Sequence, residues 1–275
     1  MSPEQEHPRR ARLLRSTPIR IVIALLFVGV PTTLVQLAAQ ALGADDVMVA
    51  LPFAVVAIAS YVAYVRLFEK RNAVELALPG AAVQAGAGFL LGALLFSATI
   101  LALWLLGVAS VGSGAGWGAA LYALIGAVAT ALGEEILVRG VLFRILSERL
   151  GDLVALLVSA ALFGLAHAFN PGATAVSSIA IALEAGVLLA AAFMVTRRLW
   201  MPIGLHAAWN FTEGGVFGAS VSGHEGHGLL STQLTGSDLL SGGRFGPEAS
   251  VVAVAICLTA AGALLALARR RSRAV

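Results

Sequence analysis

Long apolar runs constrain this 275-residue chain more than any other feature of its sequence. Such runs lie at about residues 21–42, 47–65, 83–108, 117–149, 152–168, 173–195, 202–217 and 249–268. A helix needs about 20 mainly apolar residues to cross the hydrocarbon core of a bilayer. Only 12% of the residues are charged, whereas soluble domains are nearer one quarter charged. We therefore predict an all-α, polytopic integral membrane protein with about eight transmembrane helices.

The basic residues predict which ends of these helices face the cytoplasm. If both termini are inside, 17 of the 18 lysines and arginines fall on the inner side, and only Arg244 falls outside. This is the bias that the positive-inside rule describes. A cleaved signal peptide is the alternative interpretation of the first run, but signal h-regions span roughly 7–15 residues and this run is longer. The prediction is a multi-pass protein of the cell membrane with both termini cytoplasmic, and the arginine-rich, alanine-rich composition suggests a bacterial source.

The same pattern divides the chain into three parts. Residues 1–20 and 269–275 are predicted to be basic cytoplasmic tails, and 21–268 form one membrane domain that encloses an intramembrane site. Within this domain, 117–217 hold the polar motifs, and 218–248 form an outer loop rich in glycine and serine. The basic residues lie at helix ends rather than in a patch, so we expect membrane lipid around the chain and no nucleic-acid partner.

A few ionisable or strongly polar residues lie inside the apolar runs. Each charge placed in a bilayer costs about 2.5–3.5 kcal/mol on insertion scales, so such residues are candidates for a functional site. They all fall on the fourth to seventh predicted helices: Glu134, Glu135, Arg139, His167, Glu184, His206, Asn210 and Glu213. The polar residues therefore predict one site built from neighbouring helices.

Helical spacing separates the two adjacent glutamates. Glu135 and Arg139 are four residues apart and share a helix face, which favours an ion pair. Glu134 is rotated by about 100° from Glu135, so it is left free for chemistry. An ion pair that only locks helices together would explain one glutamate and the arginine, but not both glutamates.

Two further pairs have the same spacing on other helices. They are Phe163 with His167, and His206 with Asn210. A glutamate that faces two imidazoles suits the activation of water, because the carboxylate takes a proton while an amide stabilises an oxyanion. The same side chains offer nitrogen and oxygen ligands for a divalent metal.

Together these motifs resemble those of a known family. Glu134-Glu135-x-x-x-Arg139, Phe163-x-x-x-His167 and His206-x-x-x-Asn210, in this order, are similar to the three motifs of the CPBP family of CAAX-protease and bacteriocin-processing intramembrane endopeptidases, also called Abi. The resemblance covers about residues 117–217. It implies an eight-helix membrane peptidase, an endopeptidase commonly described as a metalloprotease, that acts on a peptide or membrane-protein substrate.

The resemblance also assigns roles to single residues. Glu134 would activate the water, and His167, His206 and Asn210 would complete the catalytic site. Glu135 and Arg139 would support it, and Phe163 would pack beside it. A divalent metal such as zinc would be held by His167, His206 and Glu134.

Other functions stay open on the sequence alone. A proton-coupled membrane transporter would use buried carboxylates in a similar way, although we find no pair of matching halves with discontinuous helices. A non-catalytic membrane scaffold would keep the fold without the reaction. Transport is distinguished by substrate flux, and a scaffold by a phenotype that survives substitution of the site.

Further expectations concern the surroundings of this site. Glu184 is expected to pair with a neighbouring helix, and Glu213 to lie at the outer interface. The segment His224-Glu-Gly-His227 has the wrong spacing for an HExxH metal motif, so we interpret it as part of a flexible outer loop. The cavity is expected to open toward the basic ends of the fourth and seventh helices.

Overall fold

Helices dominate residues 16–273, the part of the chain that the computed structural model describes. Their bounds are α1 (Thr17–Leu42), α2 (Asp46–Tyr64), α3 (Ala81–Leu105), α4 (Trp117–Glu135), α5 (Arg144–Ala166), α6 (Ala175–Ile181), α7 (Val187–Thr196), α8 (Trp200–Asn210), α9 (Asp238–Ser241) and α10 (Val251–Arg273). Short 3₁₀ turns occupy Val74–Leu76, His167–Phe169 and Pro247–Ala249. The prediction of an all-α polytopic membrane protein is confirmed.

Six helical stretches are long and apolar enough to cross a membrane. They are Thr17–Leu42, Val47–Glu69, Ala81–Leu105, Trp117–Phe169, Ala175–Thr196 and Val251–Arg273. The fourth has 53 residues, about 80 Å of helix, and it breaks at Gly151, where φ is 79° and ψ is 166°. The seventh predicted crossing, which α8 begins, is too short to qualify. The count of eight therefore stays a prediction.

Both predicted tails overlap with helices of the structure. Residues 1–15 lie outside the described part of the chain, whereas 17–20 already belong to α1 and 269–273 continue α10. The division into tails and a membrane domain stays a prediction, with helix boundaries a few residues beyond those we expected.

Several helices continue as π-helical segments. These are Val65–Glu69 after α2, Ile136–Phe143 between α4 and α5, Ala182–Gly186 between α6 and α7, and Phe211–Val216 after α8. Three of them involve residues of the predicted site. Ile136–Phe143 begins directly after Glu135, Ala182–Gly186 contains Glu184, and Phe211–Val216 begins directly after Asn210. A π-helical turn changes the direction of the side chains that follow it and is frequent at functional sites.

Small residues bring α3 and α8 into close contact. A Cβ atom added to Gly88 would lie 2.1 Å from the Met201 carbonyl oxygen, and one added to Gly92 would lie 2.3 Å from that of Leu205. From the other side, a Cβ on Gly204 would lie 2.1 Å from the Ala85 carbonyl oxygen. Because no side chain fits between the two backbones, this contact fixes the helix that carries His206 and Asn210.

A network of ion pairs joins the helix ends at the basic side of the molecule. The Glu69 carboxylate accepts hydrogen bonds from Arg20, Arg71 and Arg144, each at 2.8 Å. Arg20 and Arg144 also reach Glu148, at 2.7 and 2.8 Å. The network links α1, the end of α2 and the start of α5.

A two-stranded antiparallel sheet lies at the opposite end. Strand β1 (Ala109–Ser113) follows α3, and β2 (Leu230–Leu234) belongs to the outer loop; Ala109 faces Leu234 and Ser113 faces Leu230. The sequence did not predict these strands, because the glycines and serines in and around both segments suggested only a break and a loop. The sheet tethers the outer loop across the helix ends.

Candidate active site

A buried ion pair lies at the centre of the polar motifs. The Arg139 guanidinium donates through Nη1 to Glu135 Oε1 at 2.7 Å, and both side chains are completely buried. This is the pair that the four-residue spacing predicts. Arg139 Nη2 also donates to the Gly186 carbonyl at 3.1 Å, and its guanidinium lies 4.8 Å from the centre of the Phe163 ring. The arginine thus connects α4, α5 and the π-helical segment before α7.

Glu135 also orients His206. The Nδ1 atom of this buried imidazole is 3.0 Å from Glu135 Oε1. An ionised carboxylate accepts hydrogen bonds only, so Nδ1 carries the proton and the Nε2 atom of the neutral ring is left as an acceptor. The buried carboxylate therefore fixes both the direction and the tautomer of His206.

Glu134 has a different environment from Glu135. Its Oε2 atom faces His206 Nε2 at 3.9 Å, which is too long for a direct hydrogen bond. This oxygen is buried and has no hydrogen-bond partner among the described residues, although 35% of the side chain is exposed. Two polar atoms at this separation can both bind one water molecule.

His167 lies at the end of α5, where the 3₁₀ turn begins. Its Nδ1 atom is 2.8 Å from the Phe163 carbonyl, so Nδ1–H donates and Nε2 remains an acceptor. The Phe163 ring lies 4.6 Å from the His167 ring and 6.0 Å from the His206 ring, measured between centroids. Phe163 thus packs between the two imidazoles.

One cavity of about 750 Å³ contains all four residues predicted to be catalytic. Glu134, His167, His206 and Asn210 line it together. Asn210 ends α8, and its side-chain amide makes no hydrogen bond to the residues that the structure describes, so its N–H donors are available. The cavity follows α4 from Gly118 to Glu134, the half of that long helix away from the basic end. Our expectation that it opens toward the basic ends is therefore wrong.

A second cavity, of about 630 Å³, reaches Glu134 from the other side of α4. Helices α1 and α2 form its outer wall, with Thr32, Gln36 and Phe53 among the lining residues. The two cavities share Thr130, Glu134 and His224. Glu134 is thus accessible from both sides of its helix.

The outer loop contributes residues that our interpretation of the sequence missed. His224, Glu225 and His227 all line the main cavity, although we assigned this segment to a flexible loop. The Ser222-Gly223 dipeptide marks a turn, but no feature of the sequence shows that the turn folds back over Glu134. The position of the turn depends on contacts between residues that are far apart in the sequence, such as the β1–β2 pairing.

The remaining buried carboxylates lie behind the residues predicted to be catalytic. Glu184 and Glu248 line a small cavity together with His167, His206 and Asn210. Glu213 is completely buried, which corrects the expectation that it lies at the outer interface. Glu184 is also buried. No arginine or lysine pairs with it among the described residues, but its side chain is hydrogen-bonded to Cys257 of α10, so it does contact a neighbouring helix. Burial raises the pKa of the Glu248 carboxyl, because the protein interior disfavours its charged form.

The side chains do not fit the three-ligand metal site that the resemblance implies. Within the described part of the chain, no three His, Cys, Asp or Glu side chains are arranged to hold a metal ion. The His206 and His167 Nδ1 atoms are hydrogen-bonded to Glu135 and to a backbone carbonyl, which leaves Nε2 of each ring as the atom that could bind a metal. Glu134 and His206 face each other at 3.9 Å, whereas a catalytic zinc site needs three protein ligands.

Comparison with known proteins places this arrangement in a family. Residues 115–212 match the family model described as type II CAAX prenyl endopeptidase Rce1-like. This segment belongs to the CAAX-protease family. The match includes every residue of the three motifs, so the predicted family is confirmed for this segment. Searches of the curated proteins and of the solved structures returned no match. At the level of the family, this match supports a CAAX-type intramembrane endopeptidase, a class of enzyme that acts on a peptide or protein substrate.

Proposed function

We propose that the protein is an intramembrane endopeptidase in which Glu134 activates the water that cleaves a peptide bond. The observation that carries this proposal is the buried, unpartnered Glu134 Oε2 atom, which faces His206 Nε2 at 3.9 Å inside a cavity of about 750 Å³. A buried polar atom without a partner costs about 1–3 kcal/mol, a cost that a bound water or substrate would remove.

The residues around this atom suggest how the reaction proceeds. A water molecule would donate one proton to Glu134 and the other to the Nε2 acceptor of His206 or His167. As the water oxygen attacks the peptide carbonyl, Glu134 takes its proton as the general base. The Asn210 amide donates to the oxyanion that forms, and protonated Glu134 then returns the proton to the leaving amine. No step of this mechanism passes through a metal ion.

Glu135 and Arg139 act on this reaction by positioning His206. The Arg139 guanidinium balances the buried charge of Glu135, and Glu135 in turn holds His206 Nδ1. In this proposal Glu134 reacts while its neighbour only orients, because one carboxylate is open to the cavity and the other is buried.

The decisive experiment compares the membrane proteomes of cells that express wild type and Glu134→Gln. Precursors that accumulate uncut in the variant identify the substrates. Loss of a general base lowers turnover by roughly 10²–10⁴-fold, so cleavage should be almost abolished while the variant stays folded in the membrane.

Glu148→Gln is a matched control for this comparison. It makes the same isosteric change in the ion-pair network at the basic end, far from the cavity, and should cleave like wild type. Undiminished cleavage by Glu134→Gln would contradict the mechanism. Substrate flux into proteoliposomes without any cleavage would favour the transporter instead.

We further propose the setting in which this reaction takes place. The distribution of lysine and arginine supports a cell-membrane protein with both termini in the cytoplasm, and the arginine-rich, alanine-rich composition supports a bacterial source. The cavity would then open toward the outer side, because it follows the half of α4 that leads to the outer loop.

A further inference from the structure

A tight turn of the outer loop forms part of the wall of the main cavity. The backbones of Val221 and His224 exchange two hydrogen bonds, of 2.8 and 2.9 Å. The two residues between them, Ser222 and Gly223, have positive φ angles of 49° and 84°. Positive φ at both central positions is the geometry of a type I′ turn, which fixes the direction of the chain on either side.

Buried partners hold this turn in place. The Ser222 N–H donates to Glu248 Oε1 at 2.6 Å, and the Gly223 N–H donates to the Phe245 carbonyl at 2.7 Å. On the other side, Asn170 Nδ2 donates to the Ser222 carbonyl at 3.1 Å. A Cβ atom on Gly223 would lie 1.9 Å from the Pro171 carbonyl oxygen. The turn is therefore fixed against the segment that follows His167.

This anchoring places His224 where the two cavities meet. The side chain lines both of them, as Glu134 and Thr130 do. The imidazole is exposed and forms no hydrogen bond within residues 16–273. A peptide whose scissile bond lies at Glu134 and whose ends extend into the two cavities must pass this ring.

From this geometry we propose that His224 contacts the substrate beside the scissile bond and determines which peptides are cut. The 221–224 turn, anchored by Glu248 and Asn170, acts as its positioning element. The proposal rests on the proposed function, because it requires Glu134 to mark the cleavage point.

The walls of the cavities indicate the class of substrate. Apart from Thr130, Glu134 and His224, which it shares with the main cavity, the second cavity is lined mainly by small or apolar residues. Its further polar residues are Thr32, Thr33 and Gln36. It suits an extended peptide with small or apolar residues on that side of the cut. The imidazole of His224 would form a hydrogen bond to a polar group of the substrate next to the scissile bond. A neutral imidazole can do so as a donor at one ring nitrogen or as an acceptor at the other.

The test is a quantitative comparison of the new peptide N-termini in membranes of cells that express each variant. Termini that vanish in Glu134→Gln define the cleavage sites of the enzyme. In His224→Ala, the relative yields of these termini should change by about tenfold for part of the set, the effect of one lost hydrogen bond. His224→Gln keeps a donor and an acceptor and should restore part of the wild-type pattern.

Gly223→Ala tests the positioning element. It should reproduce the pattern of His224→Ala, because the added Cβ displaces the turn. Two controls in the same loop should keep the wild-type pattern: Gly236→Ala, at a φ of 93° with no atom within 4 Å of the added Cβ, and Gln233→Ala, on the exposed face of β2. The amount and the melting temperature of each variant are measured in detergent to show that it is folded.

The outcomes separate this proposal from the proposed function. If no terminus depends on Glu134, the proposed function fails and this inference fails with it. If Glu134-dependent termini exist and His224→Ala leaves their relative yields unchanged, only this inference is overturned. Uniform loss of all of them in folded His224→Ala also overturns it, because specificity would then not depend on the ring.

Discussion

At the scale of single residues, two adjacent glutamates have opposite environments. Glu135 is completely buried and bonded to both Arg139 and His206, whereas Glu134 Oε2 has no partner and faces a cavity. The i, i+4 spacing was enough to predict the ion pair and to separate the two carboxylates. The roles of the catalytic residues stay predictions until variants are measured.

We expect Glu135→Gln to destabilise the protein more than Glu134→Gln does. Removing one partner of a buried ion pair leaves an uncompensated charge, which costs about 3–5 kcal/mol, and Arg139 is completely buried. Thermal unfolding in detergent micelles would measure the difference, with Glu134→Gln as the isosteric control one position away. Equal melting temperatures for the two variants would contradict a structural role for the ion pair.

At this scale, the sequence does not predict site residues whose position depends on contacts with residues far away in the sequence. The motif residues could be found because each pair is local to one helix. His224 could not, because its place beside Glu134 depends on Glu248 and Asn170, which lie 26 and 52 positions from Ser222 in the sequence.

At the scale of elements, the glycines between α3 and α8 set the position of the helix that carries His206 and Asn210. Gly88 and Gly92 form a small-xxx-small pattern, which occurs by chance in a chain with 30 glycines. The structure shows that both approach the backbone of α8. The pattern could be read from the sequence, but its partner helix could not.

Gly88→Ala should separate these two helices and lower both stability and activity. The added methyl group would lie 2.1 Å from a backbone oxygen, and overpacking of this kind costs about 1–3 kcal/mol. Gly86→Ala is the control, because it adds the same methyl group to α3 with no atom within 4 Å. Melting temperature and cleavage rate should both fall in the first variant only. A Gly88→Ala protein that matches the control in both measurements would rule out the close contact as a determinant of the site.

The π-helical segments are the elements that the sequence conceals. Hydrophobic periodicity describes a continuous helix from 117 to 149, whereas the structure inserts Ile136–Phe143 directly after Glu135. A π-helical turn changes the helical phase after that point, and the tertiary packing that stabilises it leaves no local pattern. The presence of the helix was therefore predictable. The directions in which the side chains after Glu135 point were not.

At the scale of the whole molecule, the polar groups are divided between two ends. Ion pairs around Glu69 occupy the basic end, and the β1–β2 sheet with the outer loop covers the other. The main cavity follows the half of α4 that leads to the loop. Charge counting predicted an orientation for the ends but gave the wrong direction for the cavity, because the basic ends hold paired arginines rather than an entrance.

Cysteine labelling would test this orientation. The single native cysteine, Cys257, is buried, so it should not react with a membrane-impermeant maleimide. In intact cells, Gln233→Cys in β2 should be labelled, whereas Leu78→Cys, at a side chain that is 75% exposed before α3, should be labelled only after the cells are opened. The reverse result would place the loop and the cavity entrance in the cytoplasm.

The junction of the two cavities at Glu134 also has a consequence for inhibitor chemistry. A fragment bound in either cavity reaches the same carboxylate, because Thr130, Glu134 and His224 line both cavities. When two weak fragments are joined by a short linker, the binding of the second becomes intramolecular and its effective concentration reaches the millimolar range. A molecule that bridges both sides of α4 would therefore bind far more tightly than either half.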